Sequence, residues 1–280
     1  MRQRIIAALG ITVLAATSLT ACGDDTGAGG SGSSGDKITI GIKYDQPGLG
    51  LKEGSNYTGL DVDVAKYVAK EMGFEEGNIE FKEAPSPQRE TLLGNGQVKM
   101  IFATYSITDS RKEKVSFAGP YLVAGQDLLV KADETSITGP ETLNGKKLCS
   151  VTGSTSAQKV ADQFAKTVQL QKYDTYSKCV EALASGAIDA VTTDNTILAG
   201  YAAQAANAGK FKVVGKTFST ERYGVGLKKG DTETCTKVND ALKKMIDSGE
   251  WQKAVDKNLG PAGLKLDPAT NPAKTFETCA

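Results

Sequence analysis

The run Ala103-Thr104-Tyr105-Ser106-Ile107-Thr108-Asp109-Ser110-Arg111 and the distant Thr192-Thr193-Asp194-Asn195 hold the side chains best suited to binding chemistry. Arg111 carries a planar guanidinium that can grip a carboxylate through two charge-assisted hydrogen bonds, with the Thr104 and Ser106 hydroxyls close by in sequence. Asp194 offers the complementary acceptor for an ammonium group. Together the two describe a clamp for an amino acid. Plainer readings stand beside this one: Arg111 as the partner of Asp109, and Asp194 as the N-cap of a following helix.

Both stretches follow apolar runs, 98–102 and 187–191, which read as buried strands. Polar residues just past strand ends are where open α/β sheets bind ligands. The remaining chain keeps the same rhythm, with strands expected over 37–42, 79–82, 126–130, 147–151, 168–172, 211–214 and 223–227. Helices are expected over 61–72, 88–95, 176–185, 196–206 and 232–247, with one more opened by Gly153-Ser154-Thr155. In 61–72 the residues Val62, Ala65, Val68 and Met72 share one helical face, and Gly73 ends it. Such alternation predicts an α/β fold of parallel sheets with helices on both faces.

The first 21 residues have Arg2 and Arg4, then an apolar run over 5–19, then small residues. This describes an export signal, too short and wrongly flanked for a spanning helix. Cys22, directly after Leu19-Thr20-Ala21, resembles the bacterial lipobox, whose cysteine is lipidated and becomes the mature N-terminus. Residues 22–36 are mostly Gly, Ser and Asp and read as a flexible tether. The expected location is the extracytoplasmic face of a bacterial cell membrane, held there by lipid.

The 33 basic and 33 acidic residues lose Arg2 and Arg4 with the signal, leaving 31 − 33 = −2. Nothing in that balance favours nucleic acid or an acidic membrane surface as partner. With 40% hydrophobic residues, the roughly 240 residues after the tether suit two lobes or one large domain. The chain has no histidine, which removes the commonest general base and the Ser-His-Asp arrangement. Besides Cys22 there are Cys149, Cys179, Cys235 and Cys279, an even number for which disulfides are the expected state in an exported chain. Three pairings are open. Without histidine or a close cysteine pair, neither a metal site nor a cofactor is expected.

Several separated motifs in order carry a family resemblance over nearly the whole mature chain. Gly59-Leu60-Asp61-Val62-Asp63, Ser106-Ile107-Thr108-Asp109-Ser110-Arg111, Val115-Ser116-Phe117-Ala118-Gly119-Pro120-Tyr121, Gly153-Ser154-Thr155 and Thr193-Asp194 resemble the solute-binding proteins for polar amino acids that feed bacterial ABC importers. More narrowly, Lys43-Tyr44-Asp45-Gln46-Pro47-Gly48-Leu49-Gly50 with Gln88-Arg89-Glu90-Thr91 resembles glutamate-binding lipoproteins of actinobacteria.

The resemblance implies a two-lobed, type II periplasmic-binding-protein-like fold with the ligand cleft between lobes joined by two hinge strands. Lobe 1 would be 37–124 with 222–280 and lobe 2 128–218, crossing at 125–128 and 218–222. Pairing Cys149 with Cys179 and Cys235 with Cys279 keeps each disulfide inside one lobe. By the same resemblance Arg111 binds the α-carboxylate, helped by Ser106 and Thr155, while Asp194 and the Thr104 carbonyl accept from the α-amino group. Tyr44 packs over the ligand or merely lines a wall. A glutamate side chain needs a cation, with Arg89 preferred for its fork, Lys43 next, and Arg222 as an outlying candidate. The implied protein is a monomer that captures L-glutamate or a related polar amino acid and delivers it to an ABC permease with its ATPase. The same fold also serves amino-acid sensors and exported dehydratase-like enzymes, for which Asp45, Asp61 and Glu83 are the available carboxylates.

Overall fold

A computed structural model describes residues 35–279. The signal segment, Cys22 and most of the tether lie outside the described residues. Strand β1 (Ile38–Ile42) alternates as its sequence requires, with Ile38, Ile40 and Ile42 buried. It is followed by a small antiparallel sheet of β2 (Asp45–Gln46), β3 (Gly50–Glu53) and β4 (Asn56–Thr58), then by helix α1 (Leu60–Glu71). The buried face of α1 includes Val62, Ala65 and Val68, and Gly73 turns the chain away at φ 93°.

Strands β5 (Ile79–Glu83), β6 (Met100–Phe102), β7 (Val115–Ala124) and β13 (Glu221–Lys228) complete the first main sheet, in the order β5-β1-β6-β13-β7. Helices α2 (Arg89–Gly94) and α3 (Asp109–Lys112) lie between its strands in sequence. The second sheet has β8 (Gln126–Lys131), β9 (Lys147–Val151), β10 (Gln169–Tyr173), β11 (Ala190–Asp194) and β12 (Phe211–Val213), in the order β10-β9-β11-β8-β12. Its helices are α4 (Ser156–Gln163), α5 (Tyr176–Ser185) and α6 (Asn195–Ala203). Helices α7 (Thr232–Asp247) and α8 (Glu250–Leu259) return to the first sheet's side, where Trp251 donates to the Tyr121 carbonyl at 2.7 Å.

Both faces of each sheet are covered. Along β6, Met100 and Phe102 join one apolar cluster and Ile101 another. Along β8, Leu129 joins one, and Leu128 and Val130 another. The sheets are mixed rather than parallel: β13 runs antiparallel to β6 and β7, and β8 antiparallel to β11 and β12. The reason is connectivity, because a chain that leaves one sheet to build another returns in the opposite direction. The crossing out is Gly125, where an added Cβ would meet the Thr217 side chain at 2.7 Å and the Ser219 carbonyl at 2.9 Å. Only glycine lets the outgoing and returning segments lie so close.

The expected disulfides are present, Cys149 with Cys179 and Cys235 with Cys279. The strand expected over 187–191 is instead β11, Ala190–Asp194, so Asp194 is its last residue rather than a residue beyond it. Ten-residue β7 and the small sheet β2–β4 lie outside the strands that periodicity marks. Among the described residues no helix is long and apolar enough to cross a membrane, and no group of three acidic or cysteine side chains is arranged to hold a metal ion.

Candidate functional site

The turn after β6 is built around a backbone conformation that L-residues avoid. Thr104 has φ 45°, the one positive φ of a non-glycine among the described residues, at a cost of about 1–3 kcal/mol. Two fully buried side chains hold it there. Its N–H donates to Asp61 Oδ2 at 3.0 Å and its hydroxyl to Gln46 Oε1 at 3.2 Å. Asp61 Oδ1 accepts from the Tyr121 hydroxyl at 2.7 Å, and burial raises its carboxyl to about 6. Asp61, one of the carboxylates available to an enzyme, is thus committed to shaping this turn.

Arg111 follows on α3, whose Thr108 cap accepts from the Arg111 amide at 3.3 Å. Its guanidinium donates from Nη1 to the Ser106 carbonyl at 2.7 Å and from Nη2 to the Gly153 carbonyl at 3.1 Å. The second contact joins residues on the two main sheets' sides. Asp109 pairs with Lys112 instead, at 3.4 Å, so the plainer reading of Arg111 does not hold.

Asp194 occupies the N-cap position of α6, yet its side chain makes no capping bond. Its Oδ2 accepts from the Tyr223 hydroxyl at 2.6 Å, and its buried Oδ1 has no partner. An unpartnered buried carboxylate oxygen is costly, and the carboxyl is pushed up to about 7, first by burial and then by Glu221. The position invites a cation. Thr155 caps α4 positionally; its hydroxyl accepts from Gln126 Nε2 at 3.1 Å and donates to Glu221 Oε2 at 3.4 Å. Glu221 in turn pairs with Lys159 at 3.3 Å.

Two more cations lie on the β1 side of the clamp. Lys43 donates to Ser86 Oγ at 2.8 Å, and Arg89 donates from Nη1 to the Ala103 carbonyl at 3.1 Å while its Cζ sits 4.0 Å from the Tyr105 ring centroid. Arg111 Cζ lies 5.0 Å from the same ring. Burial, then Arg89, holds Lys43 down to about 7; burial, then Arg111, lowers Arg89 to about 10. Lys43, Arg89 and Arg111 are 5%, 2% and 8% exposed, and among the described residues none makes an ion pair.

A cavity of about 20 Å³ is lined by Ser86, Arg89, Thr104, Ser106, Arg111, Thr155 and Asp194, together with Ser154, Ser156, Tyr176, Thr193 and Ile197. That is room for about one water, so a larger ligand enters only if the walls part. A cavity of about 630 Å³ lies elsewhere, between α6 and residues 261–264. It has no converging charges, since its one carboxylate, Asp127, already accepts from Leu128 and Gly215 N–H groups. The small polar cavity is therefore the candidate site.

Of the residues singled out from sequence, Lys43 reaches the cavity wall through Ser86, whereas Tyr44 and Arg222 do not line it. The Tyr44 hydroxyl donates to the Phe81 carbonyl at 2.8 Å, and Arg222 pairs with Glu277 at 2.8 Å. Ser86 and Tyr223 were missed. Ser86 lies just ahead of Pro87-Gln88-Arg89 and could have been found from its neighbour; Tyr223 depends on β13 packing beside Ser106, which no local pattern announces.

Comparisons with known proteins place the chain in a family. The family described as bacterial extracellular solute-binding proteins, family 3, matches residues 38–261. The chain is 50% identical to the glutamate-binding protein GluB of Corynebacterium glutamicum over 95% of this chain and 94% of that one. It is 36% identical to the ABC transporter glutamine-binding protein GlnH of Bacillus subtilis, over 92% and 96%. Among solved structures, an ancestral arginine-binding protein bound to arginine superposes with a TM-score of 0.74 at 36% identity, over 81% of this chain and all of that one.

Proposed function

This chain belongs to the bacterial extracellular solute-binding proteins of family 3, and from that premise we propose that it captures L-glutamate between two lobes and delivers it to an ABC permease. The carrying observation is the charge inventory of the site: three buried cations without ion pairs face one buried carboxylate with a free oxygen. A ligand with two carboxylates and one ammonium is its complement. The name of the half-identical GluB agrees with that choice.

In this reading Arg111 holds the α-carboxylate with Ser106 and the start of α4 at Thr155, where helix N–H groups favour an anion. Asp194 takes the ammonium group, with the Thr104 carbonyl as second acceptor. Arg89 and Lys43 meet the side-chain carboxylate. The lobes are 37–124 with 222–280, and 128–218; closing them excludes water and strengthens each polar contact. No bond is made or broken. A lipidated Cys22 behind the 1–21 signal, followed by the tether, would anchor the monomer at the outer face of the cell membrane.

The test is calorimetric titration of residues 23–280, refolded to strip any bound ligand, against the common amino acids. Tight glutamate binding with weak glutamine binding supports the reading; silence across the panel removes it. Lys43→Met is expected to weaken glutamate binding about 10- to 100-fold, the range for losing a charge-assisted bond, and to leave glutamine binding nearly unchanged.

The pH dependence has a sign on each side. Asp194, raised to about 7, must be ionised to take the ammonium group. Below pH 7 binding therefore expels a proton, and affinity falls by up to about tenfold per pH unit. Lys43, lowered to about 7, must be protonated to meet a carboxylate, so affinity also falls above pH 7. For glutamine the upper limb should vanish. Titrations in buffers of different ionisation enthalpy would detect proton release on the acid side and uptake on the alkaline side.

A further inference from the structure

Asp45 does not line the cavity, yet its Oδ2 lies within hydrogen-bond distance of four donors on elements packed against the other main sheet. The donors are the backbone N–H groups of Tyr176 (3.0 Å) and Ser177 (3.2 Å), the Ser177 hydroxyl (3.4 Å) and the Tyr201 hydroxyl (3.0 Å). The Tyr201 hydroxyl also lies against the Asp45 backbone carbonyl. Asp45 belongs to β2, in the small sheet packed on α1, whereas Tyr176 and Ser177 open α5 and Tyr201 lies on α6, both packed on the second sheet. Thr175 already caps α5 at Lys178. Asp45 therefore supplies, from across the cleft, acceptors for two N–H groups that a helix start leaves unmet, and its charge suits the helix dipole.

Backbone packing closes the same seam. A Cβ at Gly200 in α6 would stand 2.1 Å from the Pro47 carbonyl oxygen. We propose that Asp45, seated on the start of α5 beside the Pro47–Gly200 contact, is a closure latch that sets affinity without touching the ligand. These contacts exist only when the two sides meet. They add to the closed state a stabilisation that no ligand supplies, and apparent affinity scales with the population of the binding-competent state. The latch rests on the glutamate reading only for the ligand used to read it out.

The test compares wild type with Asp45→Ala, Tyr201→Phe and Gly200→Ala by calorimetry, by stopped-flow dissociation, and by amide exchange at Tyr176 and Ser177. Asp45→Ala should weaken glutamate binding about tenfold, the scale of a charge-assisted bond. The change should lie in the dissociation rate and amide protection in the glutamate complex should be lost; the glutamate-to-glutamine ratio should hold in Tyr201→Phe, which keeps the Asp45 charge that favours protonated Lys43. Tyr201→Phe should act in the same direction with a smaller effect. Gly200→Ala should weaken binding while leaving the ligand-free melting temperature unchanged or higher, because alanine favours a helix that no longer has to close on Pro47. Affinities within twofold of wild type for both Asp45→Ala and Gly200→Ala overturn the latch. If wild type binds no amino acid, the functional reading fails by itself, and the latch is judged on exchange in the ligand-free protein. Equal protection in wild type and Asp45→Ala then overturns it.

Discussion

Arg111→Ala is expected to weaken glutamate binding by about a thousandfold, which on a calorimeter amounts to loss of binding. Truncating one member of a buried, hydrogen-bonded charge pair costs about 2–5 kcal/mol or more, and a thousandfold corresponds to about 4 kcal/mol. Arg111 sits at the upper end of that range for two reasons. It is the cation on the α3 side of the cavity, and its bond to the Ser106 carbonyl on its own side of the cleft orients its guanidinium before any ligand arrives. In the clamp reading its loss removes both the counter-charge and the orientation of the α-carboxylate. Arg111→Lys should restore only part of the affinity, since an ammonium cannot reproduce the planar fork. Far-UV circular dichroism should be unchanged in both variants. Affinity near wild type in Arg111→Ala would sink the clamp.

Asp194→Asn should weaken binding about a hundredfold, because the ligand's ammonium group would be buried without a counter-charge. It should also change stability in the opposite direction, which separates charge from packing. The carboxyl is raised from 3.8 to about 7 by burial and Glu221. Between pH 4 and pH 7 the folded protein therefore holds a proton that the unfolded chain has lost, and stability contributed by this group falls as pH rises through that window. Above pH 7 the ionised, half-satisfied carboxylate is a net liability. The asparagine variant should thus be more stable than wild type above pH 7 without ligand, and similar near pH 4. Thermal melts at the two pH values, with and without glutamate, check both signs. A variant less stable at pH 8 and still able to bind would assign Asp194 a structural role.

That Arg111 and Asp194 line one cavity was legible in the sequence, because each combines a chemical type with a place close to a strand end. What the sequence misplaced was β11. Periodicity put that strand over the apolar residues 187–191, whereas it continues through Thr192, Thr193 and Asp194, all buried. Thr192 fits there because its hydroxyl donates to the Asp127 carbonyl at 3.1 Å and its carbonyl accepts from Ser150 Oγ at 3.0 Å. Hydrophobic patterning cannot foresee such long-range satisfaction. Asp189, within the expected strand, instead accepts from the Lys147 N–H at 2.7 Å. The disulfides were legible once a lobe boundary was assumed, since each pairing stays on its own side. Tyr223 and the antiparallel place of β13 were not, because they depend on a strand that pairs with partners about a hundred residues earlier in the chain.

That placement of β13 also orders events in time. In the first sheet β13 lies between β6 and β7, which precede it by the whole of the second sheet. As the chain is made from its N-terminus, β1, β5, β6 and β7 appear with the gap between β6 and β7 unfilled, while the second sheet's strands and helices follow as one uninterrupted segment. Long-range pairing is slow, and exposed strand edges invite association with other chains. The segment that appears second holds all its own strands and both partners of the Cys149–Cys179 bond, so it can pair without waiting for later chain. Closing the first sheet waits for β13, and the Cys235–Cys279 bond ties α7, which follows β13, to residues beyond α8.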